Sequence, residues 1–354
     1  MRYFYLLVLT LLFGCADTPT ATPPPPAHPE AVTAAQNPPE QMLWQMAKFP
    51  IPVIFDTDAN NELDDQHALA YLLYNRPVFQ TLAITTNATK HGGNIEEHTL
   101  EAKRIMQLLE VDGAYPLIDG ANQDFNTILP YVSDGAYDGH EAVEKIIQEG
   151  RIRRNQPLIL AAVGKLTNVA LALSQAPEII PNVRVVWLGS NYPAPGEYNQ
   201  ENDEAALNYV LSTNVPFDMV TVRYGEPSGS DAVKIYQSEV KTRFQGKGQP
   251  VATPVMGRHG EAFQRFGDYS VNLFDHVEFY GNPPGRAMFD MVALAIVKNP
   301  DWGEVRTIPA PKLVNHEWVE QPDNPRTIQL WENFDREGIL NDFYNYLDLH
   351  TPRK

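Results

Sequence analysis

From Pro50 onward the chain alternates short apolar runs with longer amphipathic stretches. The apolar runs, bounded by polar or turn-forming residues, predict strands at 53–55, 81–85, 116–118, 158–162, 183–187 and 218–222. Between them, apolar positions recur at helical spacing and predict helices at 64–75, 95–110, 138–149, 166–175 and 203–212. Gly164 before the fourth of these and Pro177 after it supply a start and a stop. A last clear helix begins near Phe289 and ends before Pro300. Strand followed by helix, repeated, argues an α/β fold: a single Rossmann-like, open, mostly parallel (mixed) sheet with helices on both faces. The stretch 225–288 is rich in Gly, Pro and aromatics and predicts loops and short helices over a site.

Before Pro50 the pattern changes. Met1-Arg2 is a short basic start, 3–13 is apolar, and Leu12-Phe13-Gly14-Cys15 resembles a bacterial lipobox. The run is too short to span a bilayer and reads as a lipoprotein signal peptide over 1–14, with Cys15 lipidated. Ala16 after the cysteine points to the outer membrane of the bacterial envelope, facing the periplasm. Residues 15–46 are Pro-, Ala- and Thr-rich with almost no large apolar groups, which predicts a disordered tether. The folded domain is then 47–354, touching the membrane only through the N-terminal lipid.

The chain has 354 residues, 43% of them hydrophobic, enough for a substantial core. Its net charge of −17, with no Lys/Arg-rich run, excludes binding to a nucleic-acid backbone. Cys15 is the only cysteine, so the folded domain has neither a disulfide nor a cysteine nucleophile.

The chemistry concentrates where the first strand empties into Asp56, Asp58, Asp64 and Asp65. Carboxylates so close repel one another unless they are spread in water or gathered around a hard cation. Placed at the carboxyl end of a strand and the entrance to its helix, they sit where open α/β sheets bind ligands. An EF-hand counted from Asp56 would need Gly and Glu where Asn61 and His67 stand, so that reading fails. A haloacid-dehalogenase-like phosphatase would use Asp56 and Asp58 but has no call for the Asp64-Asp65 pair.

Asp56-Thr57-Asp58 followed by Asp64-Asp65 resembles the Asp-x-Asp-Pro-Gly-x-Asp-Asp signature of the inosine–uridine-preferring nucleoside hydrolases, with Ala59 to Leu63 forming a longer spacer. Further matches follow in the family's order: Ala83-Ile84-Thr85-Thr86, Gly93-Asn94, Val163-Gly164-Lys165-Leu166-Thr167-Asn168, Gly189-Ser190-Asn191 with Glu197-Tyr198-Asn199 and Asp203-Glu204-Ala205-Ala206, and Phe289-Asp290 with Pro300. The resemblance covers roughly residues 50 to 300 and implies a nucleoside hydrolase-like fold.

It also implies a calcium ion held by Asp58, Asp65, the Val163 carbonyl and Asp290. Ribose hydroxyls would be bound by Asp64, Asn94, Asn191, Glu197 and Asn199, and Asp58 would be the general base. The expected activity is hydrolysis of the N-glycosidic bond of a small-molecule ribonucleoside or related N-riboside, and related hydrolases often form homo-oligomers. Phe289 stands where the family commonly has a histidine that protonates the departing base. That departure keeps a second reading in view, a ribonucleoside-binding lipoprotein with weak catalysis. His91, His259, His276 and Tyr280 are the remaining candidates for a leaving-group acid.

Overall fold

Strand β1 (Ile51–Thr57) is buried along its whole length, because side chains on both of its faces meet helices. It lies inside an eight-stranded sheet with β2 (Phe79–Thr86), β3 (Leu117–Ile118), β4 (Leu158–Ala162), β5 (Val183–Ser190), β6 (Phe217–Thr221), β7 (Glu304–Pro309) and β8 (Thr327–Glu332). The order across the sheet is β7-β8-β6-β5-β4-β1-β2-β3. Every neighbouring pair is parallel except β7 with β8. The computed structural model describes residues 50–352. The signal peptide, Cys15 and the tether expected over 15–46 lie outside the described residues.

Helices of eight residues or more are α1 (Asp64–Tyr74), α2 (Ile95–Leu108), α3 (His140–Arg151), α4 (Thr167–Gln175), α5 (Glu204–Ser212), α6 (Gln237–Phe244), α7 (Phe266–Asp275), α8 (Phe289–Lys298) and α9 (Arg336–Leu349). Side-chain alternation along β1 divides them into two layers. Val53 and Phe55 join the core formed with α1, α2 and α6 to α9. Ile54 faces the other way, into the core formed with α3, α4 and α5. Each fully buried Leu, Ile or Phe in these layers contributes about 1.5–3 kcal/mol relative to exposure. Helix α8 is apolar all round from Met291 to Val297 and buried up to Val297, as expected for a helix walled in by neighbours. Among the described residues, no helix is long and apolar enough to cross a membrane.

The strands and helices read from the pattern between 53 and 222 are all present, with ends shifted by a few residues. The stretch 225–288 is more ordered than expected. It holds α6 and α7 and two short antiparallel ribbons, one pairing Lys234–Tyr236 with Gly285–Ala287 and one pairing Val255–Met256 with Ala262–Phe263. Strands β7 and β8 and helix α9 close the far edge. β7 gives little apolar signal because as an edge strand it leaves most side chains in solvent.

Candidate active site

The carboxyl ends of β1, β4, β5 and β6 open into a cavity of about 620 Å³, at the position α/β sheets reserve for ligands. Its floor is acidic. Asp58 comes from just beyond β1, Asp64 and Asp65 from the first turn of α1, and Asp290 from the first turn of α8. Helices α1 and α8 pack against each other, so their amino ends bring residues more than two hundred positions apart into one place. One carboxylate oxygen from each of Asp64, Asp65 and Asp290 lies within 4.8 Å of the others. The positive ends of two helix dipoles offset part of the repulsion this creates.

Each aspartate is fixed by specific partners. The Thr89 hydroxyl donates to Asp58 at 2.6 Å, and the Thr57 hydroxyl donates to Asp65. Gly164 has no room for a side chain: a Cβ there would lie 2.7 Å from the Asn87 amide oxygen and 2.9 Å from an Asp58 oxygen. The spacer between Asp58 and Asp64 is tied down too. Asn61 N–H closes a turn onto the Asp58 carbonyl at 2.9 Å, the Asn60 side chain donates to the Gly92 carbonyl at 2.6 Å, and Arg258 donates to the Asn60 carbonyl at 3.3 Å.

Burial raises every carboxyl group on this floor. Asp58 is pushed up to about 6 by desolvation, with the Asp56 charge adding to the shift. Asp64 rises to about 7, again through burial first and then the Asp58 charge. Asp65 and Asp290 lie well above the ordinary carboxylate range, through burial and then the charges of neighbouring aspartates. Glu197 is pushed up to about 7 by burial although Gln200 N–H donates to it at 2.8 Å. Acids crowded to this degree are a poor arrangement for a protein alone and a good one for a cation.

The remaining residues singled out by sequence divide into two groups. Val163, Glu197 and Asn199 line the cavity with the aspartates. The Asn199 amide nitrogen donates to the Val163 carbonyl at 2.7 Å, and its Oδ1 is buried without a hydrogen-bond partner. Asn191 is buried but off the cavity wall; its side chain donates to the Pro195 carbonyl at 3.0 Å and accepts from Tyr224 N–H at 3.2 Å, fastening a segment that does line the cavity. Asn94 is exposed and caps α2, accepting from Glu97 N–H while Glu97 reaches back to Asn94 N–H. In this structure its oxygen caps the helix.

Asp56 is off the wall as well. It is buried beneath the floor and accepts from Thr85, Asn87 and Asn168, so the nucleophile a phosphatase would need has no access to the cavity. Of the candidate acids, His91 and Tyr280 line the cavity, while His259 and His276 stack on each other at 3.9 Å off the wall. Sequence reasoning missed Tyr224, Glu62 and Arg286, which also line the cavity. Glu62 belongs to the longer spacer, whose extra length was the one signal that could have marked it.

Residues 53–338 match the family model described as inosine-uridine preferring nucleoside hydrolase. The chain belongs to this family. Among nucleoside hydrolase relatives, it is 28% identical over 192 residues to the non-specific ribonucleoside hydrolase RihC of Klebsiella pneumoniae, a match covering 48% of this chain and 60% of the relative. An uncharacterized protein of Schizosaccharomyces pombe is 27% identical over 215 residues, covering 53% of this chain and 66% of that protein. The chain thus spans less than two thirds of the length of either relative. A solved plant nucleoside hydrolase shares the fold with a TM-score of 0.65 at 15% identity, covering 84% of this chain and 99% of the other. As a nucleoside hydrolase family member, the chain departs from the pattern at Phe289, which is mostly buried and meets the Tyr224 ring edge-on at 5.7 Å.

Proposed function

We propose that this protein hydrolyses the N-glycosidic bond of ribonucleosides or related N-ribosides, releasing ribose and the free base, with calcium as its metal. The observation that carries the reading is the convergence of Asp64, Asp65 and Asp290 oxygens within 4.8 Å, in one cavity with Asp58. Asp58, Asp65, Asp290 and the Val163 carbonyl would hold the ion. All are oxygen donors, as a hard cation requires, and a divalent charge offsets both the burial and the mutual repulsion that raise the aspartates. When bound, the ion supplies Lewis acidity and a seat for vicinal sugar hydroxyls.

The chain's own residues do the rest. Asp58, held by Thr89, takes the proton of the water that attacks the anomeric carbon. Asp64, Glu197 and Asn199 take the ribose hydroxyls, and Asn191 holds the Tyr224 segment against the sugar. The carboxylates stabilise positive charge growing on the ribose, and these contacts accelerate the reaction to the extent that they tighten in the transition state. Direct attack by water inverts the anomeric centre.

The test is release of reducing sugar from inosine and uridine by the full chain, with calcium and with a chelator, alongside Asp58→Asn. The expected result is turnover lost on chelation and lowered about 10²–10⁴-fold by the substitution, with the inverted anomer seen first by NMR. Nucleoside binding without sugar release would instead make this a binding lipoprotein. We also propose anchoring through Cys15 to the outer membrane, facing the periplasm, which rests on the sequence around Leu12-Phe13-Gly14-Cys15. Cys15→Ser should release the protein from the membrane fraction.

A further inference from the structure

Besides its acidic floor, the cavity wall combines an aromatic surface with one guanidinium. Tyr224, Tyr280 and Phe289 supply the rings. Arg286 lies on the short strand Gly285–Ala287 that feeds into Phe289, with its guanidinium 5.4 Å from the centre of the Tyr280 ring. Its side chain is only 15% exposed, and it pairs with Glu62, whose side chain is 39% exposed and belongs to the lengthened spacer. The Arg286 Nε is buried and has no acceptor. A guanidinium presents a planar fork matched to a carboxylate. Here the more exposed loop carboxylate of Glu62 meets the fork through Nη2 alone, while Nη1 lies 3.5 Å from the Glu278 carbonyl, so the fork is only partly used.

Tyr224, Tyr280 and Phe289 offer no free proton donor for a leaving group. Phe289 has none. The Tyr280 hydroxyl donates to Asp231 at 2.5 Å, and His91 is exposed and stacks on Tyr198. Burial, and then neighbouring acidic groups, hold the Tyr224 and Tyr280 phenols well above their ordinary range, which makes both reluctant donors. A neutral base would have to leave as an anion without such a donor. A positively charged ring leaves neutral and needs none. Five carboxylates on the cavity wall besides Glu62 favour a cationic substrate, and aromatic faces attract a cationic ring.

We infer that the site, within the N-riboside hydrolysis proposed above, takes an N-ribosyl pyridinium whose ring carries a carboxylate, with Arg286 binding that carboxylate in place of Glu62. In the step, the C1′–N bond breaks and its electron pair passes to the pyridine nitrogen, cancelling the ring charge. The water oxygen bonds to C1′, and its proton goes to Asp58 and then to solvent. The products are ribose, a neutral pyridine ring still bearing its carboxylate, and one proton.

The experiment compares kcat/KM of the calcium-loaded full chain for nicotinate riboside, nicotinamide riboside, nicotinate mononucleotide, inosine and uridine. Nicotinate riboside is expected to lead, exceeding its amide by about 10- to 100-fold, the worth of hydrogen bonds to a charged group. Arg286→Gln should collapse that acid-to-amide ratio toward one, and Glu62→Gln should raise it by freeing the guanidinium. The second variant keeps the inference falsifiable should the first fail to fold.

Faster cleavage of inosine or uridine than of either pyridinium riboside would overturn the inference and leave N-riboside hydrolysis standing. An acid-to-amide ratio near one, or one unmoved by both substitutions, would overturn the role of Arg286. Preference for the mononucleotide would place the anion at the sugar's 5′ end and overturn it as well. Should no riboside be cleaved, the hydrolase reading fails, and the inference is then read from calorimetric affinities for the two pyridinium ribosides. Equal affinities would overturn it, and a tenfold preference for the acid would support it.

Discussion

The Asn168 side-chain amide donates to the Asp56 carboxylate at 2.7 Å and to the Thr86 carbonyl at 2.9 Å, while its oxygen accepts from Ala121 N–H at 2.8 Å. One buried side chain thus ties α4 to the ends of β1 and β2 and to the loop after β3, directly beneath the acidic floor. Asn168→Ala leaves three buried polar groups each short of a partner. The expected cost is about 1–3 kcal/mol for an unsatisfied buried group, seen as a lower urea midpoint with an unchanged slope.

Asp290 closes the acidic cluster from the far end of the chain. In chelator, Asp290→Asn removes a group that is costly to ionise because it is buried and faces Asp64, Asp65 and Asp58, so the metal-free variant should be more stable than the metal-free parent. Calcium at a hundred times its dissociation constant should stabilise the parent by about 2.7 kcal/mol and the variant by far less. Thermal melts of both proteins with calcium and with chelator check the crossover. A parent protein indifferent to calcium would remove the metal site.

The same groups set a pH dependence. Asp58 near 6 and Asp64 and Glu197 near 7 bind protons more tightly in the folded chain than in the unfolded one. Their contribution to the stability of metal-free protein is therefore fully present below the ordinary carboxylate range and lost as pH rises through 6 to 7. Calcium needs those groups ionised, so its stabilisation grows over the same window. The gap in melting temperature between calcium and chelator should widen from pH 5 to pH 8. Taking the difference cancels shifts common to both, such as that of buried His67, which burial lowers to about 4.

How much of this was legible in the sequence depends on how local each signal is. The β1 aspartates follow an apolar run and precede a helix, so their placement at a strand end can be read directly. Asp290 is legible only through the order of motifs along the chain, and its meeting with Asp64 and Asp65 depends on two helices packing side by side. Asn94 reads two ways because asparagine suits helix caps as well as sugar contacts, and the Glu97 that completes the capping box lies only three residues on. Arg286 has no local signal at all, since its role comes from pairing with Glu62 across the cavity. Helix α9 went unread although Ile339, Leu340, Phe343 and Leu347 recur at helical spacing, and edge strand β7 offered little apolar pattern to read.

Phe289 offers a gain-of-function test of the leaving-group argument. Phe289→His places a titratable donor beside Asp290, in place of a ring that has none. Inosine and uridine, whose bases leave poorly without protonation, should be cleaved about 10- to 100-fold faster, within the usual range of general acid catalysis. A p-nitrophenyl riboside, whose leaving group needs no proton, should change by less than about threefold. Equal effects on both substrates, measured as kcat/KM, would show that the substitution alters packing against Tyr224 and not proton donation.

Asn94 separates a structural role from a binding one. It heads α2 in a reciprocal pair of hydrogen bonds with Glu97, 3.2 Å from Asn94 Oδ1 to Glu97 N–H and 3.0 Å from Glu97 Oε2 to Asn94 N–H, both exposed. Asn94→Ala removes the side-chain half of that cap and should cost about 1 kcal/mol. Asn94→Ser restores a capping oxygen on a shorter side chain and should recover most of it. If the asparagine acts only as a cap, KM for a cleaved riboside stays within about twofold in both variants while the urea midpoints differ. A KM that rises in both, with stability recovered in the serine variant, would return Asn94 to the sugar site and require the α2 end to swing toward the cavity when substrate binds.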